Sequence, residues 1–132
     1  IKDEWGVLMK KGCSLANKKN ICPEDLWDKH LIFSRQNELN AWLKKPYSEL
    51  SVVASYNLVY NASLMVDEGL GYALCLDKII NTTGDSGLCF RPLKPKLEVG
   101  IHFVWKRDQI FSKAAEKFLD CFRRHLAGLE DD

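Results

Sequence analysis

Apolar and polar residues alternate along the chain in short blocks, and the spacing of the apolar residues separates predicted strands from predicted helices. Short continuous apolar or β-branched runs are typical of buried strands. Apolar residues that recur at helical spacing are typical of helices with one buried face. The predicted strands cover residues 5–9, 31–34, 51–56, 72–76, 88–93 and 100–105. The predicted helices begin at Pro23, Asn37, Leu58 and directly after Ser112.

Several residues mark where these helices begin and end. Pro23 suits a first helical position, because its missing amide hydrogen has no intrahelical partner there. Asn57 is a good N-cap for the third helix, and Gly69 can adopt the left-handed conformation that closes it. Ser112 is the predicted cap of the last helix. Residues 77–80 are predicted to add one further helical turn.

Strands that alternate with helices predict an α/β fold. Parallel strands need crossover connections and are buried on both faces, which matches the apolar runs and the helices between them. The sequence therefore predicts an α/β layer with a largely parallel sheet.

Composition and charge narrow the classes of protein. The 132 residues are 46% hydrophobic and 28% charged, which is typical of one compact globular core. Lys and Arg total 19 against 18 Asp and Glu, for a net charge of +1, whereas a nucleic-acid-binding face would be denser and one-sided. No apolar run approaches membrane-spanning length, and the first residues do not resemble a signal peptide.

The cysteines and histidines point away from metal and redox chemistry. Five cysteines, an odd number without CxxC spacing, predict neither a disulfide framework nor a zinc site, and favour a reducing cytoplasmic location. Cys75 and Cys89 lie in apolar runs and are predicted to be buried. The three histidines lie far apart in the sequence. We therefore expect no metal and no cofactor.

Catalytic motifs are also absent from the sequence. There is no GxSxG motif, and Gly69-Leu70-Gly71 lacks the third glycine of a dinucleotide fingerprint. No nucleophile and base pair stands out, so an enzyme is not the expected function.

Polar residues follow two of the predicted strands directly. In open α/β sheets, ligands bind outside the carboxyl ends of the strands. Ser34, Arg35 and Gln36 supply hydroxyl, guanidinium and amide groups that can hold a small anion. Tyr56 and Asn57 repeat the arrangement one unit later. Plain capping and turn formation is the alternative explanation for both junctions.

Several segments resemble the effector-binding domain of LysR-type transcriptional regulators. Residues 62–74 resemble the helix, Gly-Leu-Gly turn and strand of that family. Further matching segments occur along the chain in the family's order and at its spacing. These other segments are residues 23–26, 31–35, 90–93, 104–108 and 111–119.

The resemblance implies a two-lobed domain of the type 2 periplasmic-binding-protein-like fold, with a small molecule bound between the lobes. This chain would be a Rossmann-like α/β lobe with a mixed, largely parallel sheet. Residues 1–9 would be the outgoing hinge strand and residues 10–100 the second lobe. Residues 101–132 would be the returning strand and the C-terminal helix of an otherwise missing first lobe. Ser34, Arg35, Gln36, Tyr56 and Asn57 would be this lobe's share of the effector site.

The resemblance also implies partners. The expected partners are a small effector, which the charge of Arg35 predicts to be anionic, and further copies of the chain. The C-terminal helix would pack against another copy, with exchange as one arrangement, or would fray. That helix has an apolar stripe that the missing lobe would otherwise cover. DNA would be bound only through a missing N-terminal helix-turn-helix, and no membrane is involved. The alternative is a lobe of a solute-binding protein from a transport system.

Overall fold

The chain forms two compact units. The structure is a computed structural model that describes residues 1–35 and 39–130. One unit comprises Lys2–Val99, and the other comprises Ile1 together with Gly100–Asp132.

The larger unit is built on a mixed sheet. Its strands are β1 (Lys2–Lys10), β2 (His30–Ser34), β3 (Ser51–Tyr56), β4 (Tyr72–Leu76), β5 (Leu88–Pro92) and β6 (Glu98–Gly100). The strand order is β3-β2-β4-β1-β5, and β6 also pairs with β1. β2 is parallel to both β3 and β4, whereas β1 is antiparallel to β4 and β5. The predicted α/β class with a mixed sheet is confirmed.

Helical segments connect the strands. The α-helices are α1 (Pro23–Leu26), α2 (Asn40–Leu43), α3 (Val59–Asp67) and α4 (Lys113–Glu130). Short 3-10 helices cover Ser14–Asn17 and Tyr47–Glu49. Gly69 closes α3 with a φ of +82°, and the amide of Leu70 bonds back to the carbonyl of Met65, as the sequence predicts.

Apolar side chains are buried on both faces of the sheet. On one face, alternate residues of β1 and β2 pack with apolar residues of α1, α2 and the 3-10 helix Ser14–Asn17. On the other face, Leu8, Ile32 and Ala73 pack against Ala62 and Val66 of α3. Because side chains alternate across a strand, continuous apolar runs serve both layers.

Two predicted helix features are wrong. The N-cap of α3 is Leu58, which is extended (φ −115°, ψ 118°), so Asn57 lies one residue too early to cap it. Residues 77–80 form turns and bends and no helix, because Lys78 has a left-handed φ of 62°. Only part of the second predicted helix is described, since residues 36–38 lie outside the described residues.

The last predicted strand is also misplaced. β6 ends at Gly100, and residues 101–106 have no regular structure. Two aromatic residues of this segment, Phe103 and Trp105, contact α4. The ring centroid of Phe103 lies 4.8 Å from that of Phe122 and 6.1 Å from that of Phe118.

The helix α4 begins as the sequence predicts. The amide of Ala115 donates a hydrogen bond to Ser112 Oγ at 3.2 Å. The guanidinium of Arg123 lies 5.1 Å from the ring centroid of Trp105. Part of the apolar stripe of α4 is therefore covered within its own unit, whereas Phe118 remains 56% exposed. Exchange of α4 between copies stays a prediction.

Candidate functional site

The carboxyl ends of β2 and β3 lie side by side, because these strands are parallel. Ser34 is the register partner of Tyr56, and Phe33 is the register partner of Ser55. Beyond the last pair, the amide of Arg35 donates to the carbonyl oxygen of Tyr56 at 3.0 Å. The structure thus brings the two predicted junctions together at one edge of the sheet.

Arg35 extends this edge with an exposed cation. Its Nε donates a hydrogen bond to Ser55 Oγ at 3.0 Å. None of the salt bridges among residues 1–35 and 39–130 involves Arg35. Its positive charge is therefore held at the strand ends without a described carboxylate beside it.

Tyr56 lies in the core rather than in an open site. Its hydroxyl donates to the carbonyl oxygen of Leu74 at 2.8 Å. Burial raises the pKa of Tyr56 well above its usual range, the nearby Cys75 raises it further, and a hydrogen bond with Ser34 lowers it by less. The hydroxyl of Tyr56 is thus hydrogen-bonded within the chain, to Leu74 and Ser34, and its role as a ligand contact stays a prediction.

The remaining predicted residues differ in accessibility. Ser34 is half-buried and hydrogen-bonds to Tyr56. Asn57 is exposed at the start of the turn into α3. Gln36 lies outside the described residues.

An open cleft of about 450 Å³ adjoins these strand ends. It is lined by Phe33, Ser34, Arg35, Tyr47, Leu50, Val52 and Ser55. The rings of Phe33 and Tyr47 meet edge to face, with centroids 5.1 Å apart. One end of the cleft is therefore polar and cationic, and the rest is apolar.

Sequence reasoning missed Tyr47 and Ser55. Tyr47 lies in a segment between Pro46 and β3 whose pattern predicts no element. Ser55 precedes Tyr56 in β3, so its hydroxyl lies on the opposite face of the strand from the Tyr56 ring. Strand alternation alone would have indicated this face. Its contact with Arg35 depends on the register between β2 and β3.

Two kinds of feature were not found in the described part of the chain. Residues 1–35 and 39–130 contain no cluster of three or more His, Cys, Asp or Glu side chains placed to hold a metal ion. No helix among them has the length and apolar character needed to cross a membrane.

The family follows from comparison with known proteins. Residues 1–127 match the model of the LysR substrate binding domain. The chain belongs to this family. Its members are the effector-binding domains of LysR-type regulators, so the resemblance in the sequence is confirmed. A search of curated proteins finds no match to the chain.

Solved structures of LysR-family regulators share the fold. HinK, a LysR family transcriptional regulator from Pseudomonas aeruginosa, aligns with a TM-score of 0.69 and 16% identity over 95% of this chain and 45% of its own. The CcmR regulatory domain from Synechocystis PCC6803, in complex with 2-PG, aligns at 0.59 and 14% over 91% of this chain and 61% of its own. Reduced OxyR aligns at 0.58 and 14% over 74% and 48%. The chain thus spans less than half the length of HinK.

Proposed function

We propose that this chain is the effector-binding part of a LysR-type regulator and senses a small anion at the carboxyl ends of β2 and β3. The observation that carries the proposal is the position of Arg35. Its guanidinium lies where β2 and β3 end, and its Nε donates a hydrogen bond to Ser55 Oγ. It forms no salt bridge among the described residues. A guanidinium in this position suits a carboxylate or a phosphate, because it presents several donors in one plane.

Ser34 and Asn57 are the other proposed contacts. Ser34 lies beside Arg35 in the cleft, and Asn57 is exposed at the end of the neighbouring strand. Gln36 belongs to the proposal on the strength of the sequence alone. Tyr56 contributes by holding the end of β3, since its hydroxyl donates to Leu74.

The proposed mechanism is non-enzymatic and needs a second lobe. An effector that contacts this edge and a facing lobe would favour the arrangement of lobes in which both sets of contacts form. Such a ligand shifts the equilibrium only by its differential affinity for the two arrangements. The regulator would act in the cytoplasm, as a homo-oligomer, and would bind DNA through a separate helix-turn-helix. The family membership favours this function over a transport solute-binding lobe.

Titration of the chain with small anions tests the proposal. The probes are propanoate, succinate, inorganic phosphate and 2-PG, and the readout is the shift of backbone amide signals in NMR spectra of the ¹⁵N-labelled chain. We expect at least one probe to shift the amides at residues 34–35 and 55–57 in a saturable manner. Arg35→Gln should weaken that binding by about tenfold or more.

Lys19→Gln is the matched control. Lys19 is exposed and does not line the cleft, so this variant removes one positive charge and should bind like the wild type. The proposal fails if no probe binds at these amides, or if Arg35→Gln and Lys19→Gln bind equally well.

A further inference from the structure

The distribution of polar and apolar residues in the cleft beside Arg35 narrows the class of ligand that it can bind. Its polar residues, Ser34, Arg35 and Ser55, gather at the strand ends. The other described lining residues, Phe33, Tyr47, Leu50 and Val52, are apolar or aromatic. A ligand that fills the cleft must therefore be charged at one end only.

We propose that the cleft takes a carboxylate with an aromatic or branched apolar body, the carboxylate at Arg35 and the body against Tyr47 and Val52. This inference rests on the proposed function, because it names the class of anion that the same edge of the sheet would recognise. It excludes small, purely polar anions as the preferred ligand.

The apolar wall of the cleft is partly exposed. Tyr47 is 37% exposed and Val52 is 38% exposed, whereas the neighbouring Phe33 and Leu50 are buried. Phe33 supports Tyr47 from below through their edge-to-face contact. The wall is thus fixed by the core and presents an aromatic ring and a branched side chain to the cleft, which suits a ring or branched chain of a ligand.

The cationic end is equally well defined. The bond from Arg35 Nε to Ser55 Oγ keeps the side chain over the end of β3. Among residues 1–35 and 39–130, no carboxylate lines the cleft, so no acid of this part of the chain competes there for the guanidinium. Held in this way, the guanidinium needs little further ordering to bind a carboxylate.

The volume of the cleft also favours a ligand that has an apolar ring or branched chain in addition to its carboxylate. The open cleft holds about 450 Å³, which is enough for a ring in addition to a carboxylate. Burying a ring against the apolar wall should strengthen binding about tenfold to a hundredfold over the same acid without the ring.

Three matched probes test the inference on the 132-residue chain. Propanoate carries the charge without the ring, 3-phenylpropanoate carries both, and 3-phenylpropanamide carries the ring without the charge. Amide signals of residues 34–35, 47–52 and 55 report binding in the cleft. We expect 3-phenylpropanoate to bind at least about tenfold more tightly than either of the other two.

Two variants separate the ends of the cleft. Tyr47→Ser should weaken 3-phenylpropanoate by about fivefold or more and leave propanoate unchanged, whereas Arg35→Gln should weaken both acids. Tyr60→Ser, at an exposed tyrosine of α3 outside the cleft, is the control and should change neither. Circular dichroism of each variant reports whether it is folded. A Tyr47→Ser chain that has lost its fold is replaced by Val52→Ser, for which the same selective loss of 3-phenylpropanoate is expected.

The outcomes distinguish this inference from the function on which it rests. If small acids bind in an Arg35-dependent way but the ring adds nothing, the inference is wrong and the proposed anion sensor stands. If the amide binds as tightly as the acid, the charged end is wrong. If neither these probes nor the small anions shift the amides at the strand ends, both proposals fail.

Discussion

The hydroxyl of Tyr56 lies 2.8 Å from the carbonyl oxygen of Leu74. These residues belong to β3 and β4, which are not neighbours, because β2 lies between them in the sheet. The bond therefore joins the outer strands of the parallel part of the sheet at the edge that carries the candidate site. Through this hydrogen bond, Tyr56 links β3 to β4 beside Ser34 and Arg35.

Removing this hydroxyl should destabilise the fold. Tyr56→Phe keeps the ring in the core but leaves the buried carbonyl of Leu74 without this donor. We expect the free energy of unfolding to fall by about 1–2 kcal/mol, measured by urea denaturation. Tyr60→Phe removes a hydroxyl from a side chain that is 59% exposed and should change stability by less than about 0.5 kcal/mol. Equal stability of the two variants would show that the Tyr56 bond contributes nothing.

Gly6 should tolerate no side chain. A Cβ at Gly6 would lie 2.2 Å from Cζ of Phe90 and 2.5 Å from the backbone oxygen of Arg91. Gly6→Ala should therefore lower the free energy of unfolding by at least about 2 kcal/mol, since backbone and a packed ring must both move. Thermal unfolding measures this change.

The matched control for Gly6→Ala is Gly128→Ala. Gly128 lies in α4 with no neighbouring atom within 4 Å of an added Cβ. This variant should raise helix content and stability, by up to about 1 kcal/mol. A Gly6→Ala chain as stable as Gly128→Ala would contradict the close packing between β1 and β5.

The strands were predictable from the sequence because their cores are continuous apolar or β-branched runs. β3 and β4 have the predicted bounds, Ser51–Tyr56 and Tyr72–Leu76. The same criterion misassigned residues 100–105, because an apolar run does not by itself ensure strand pairing or burial, and Ile101, Phe103 and Trp105 remain 44–46% exposed. Phe103 packs on α4, and no ladder forms there.

Sequence signals at helix ends were correct where the residue type strongly favours the backbone conformation or the hydrogen bond that the helix end requires. Gly69 and Ser112 end and begin helices as predicted, since a left-handed glycine and a serine N-cap each satisfy groups of the helix itself. Lys78 shows the opposite case. A lysine gives no sequence signal for the left-handed φ of 62° that prevents a helix after β4.

The candidate site was predictable in its position but not in its contacts. The family resemblance assigned Ser34 and Tyr56 to one site, and the parallel register of β2 and β3 pairs them. The direction of the Tyr56 side chain and the pairing of Arg35 with Ser55 depend on strand register and on core packing, which local patterns do not contain.

The cysteines should react in the order of their exposure. Cys121 is exposed on α4, whereas Cys75 is buried and its burial raises the pKa of the thiol to about 12. Because the thiolate is the reactive form, iodoacetamide at pH 8 should modify Cys121 first and Cys75 only in denaturant. Peptide mass mapping after timed alkylation measures both rates. Similar rates for these two cysteines in the folded chain would contradict the buried position of Cys75.

Acid should weaken the start of α1 through Asp25. Its carboxylate accepts hydrogen bonds from Lys18 Nζ and from the amide of Cys22. Burial alone raises the pKa of Asp25, but these hydrogen bonds and the charge of Lys18 outweigh it and hold the pKa below its ordinary value of 3.8. The folded state thus favours the charged form. The stability from Asp25 is present above pH 3.8 and is lost as the pH falls through the lower, folded-state pKa.

Asp25→Asn tests this pH dependence. At pH 7 the variant should be less stable than the wild type by about 1 kcal/mol, because the charged acceptor is lost. That difference should shrink toward zero as the pH is lowered, since the wild-type carboxylate is then protonated as well. Urea denaturation between pH 7 and pH 2 measures it, and Glu24→Gln, at an exposed carboxylate of the same turn, should keep the wild-type dependence. A constant difference between Asp25→Asn and the wild type across this range would mean that the ion pair with Lys18 does not stabilise α1.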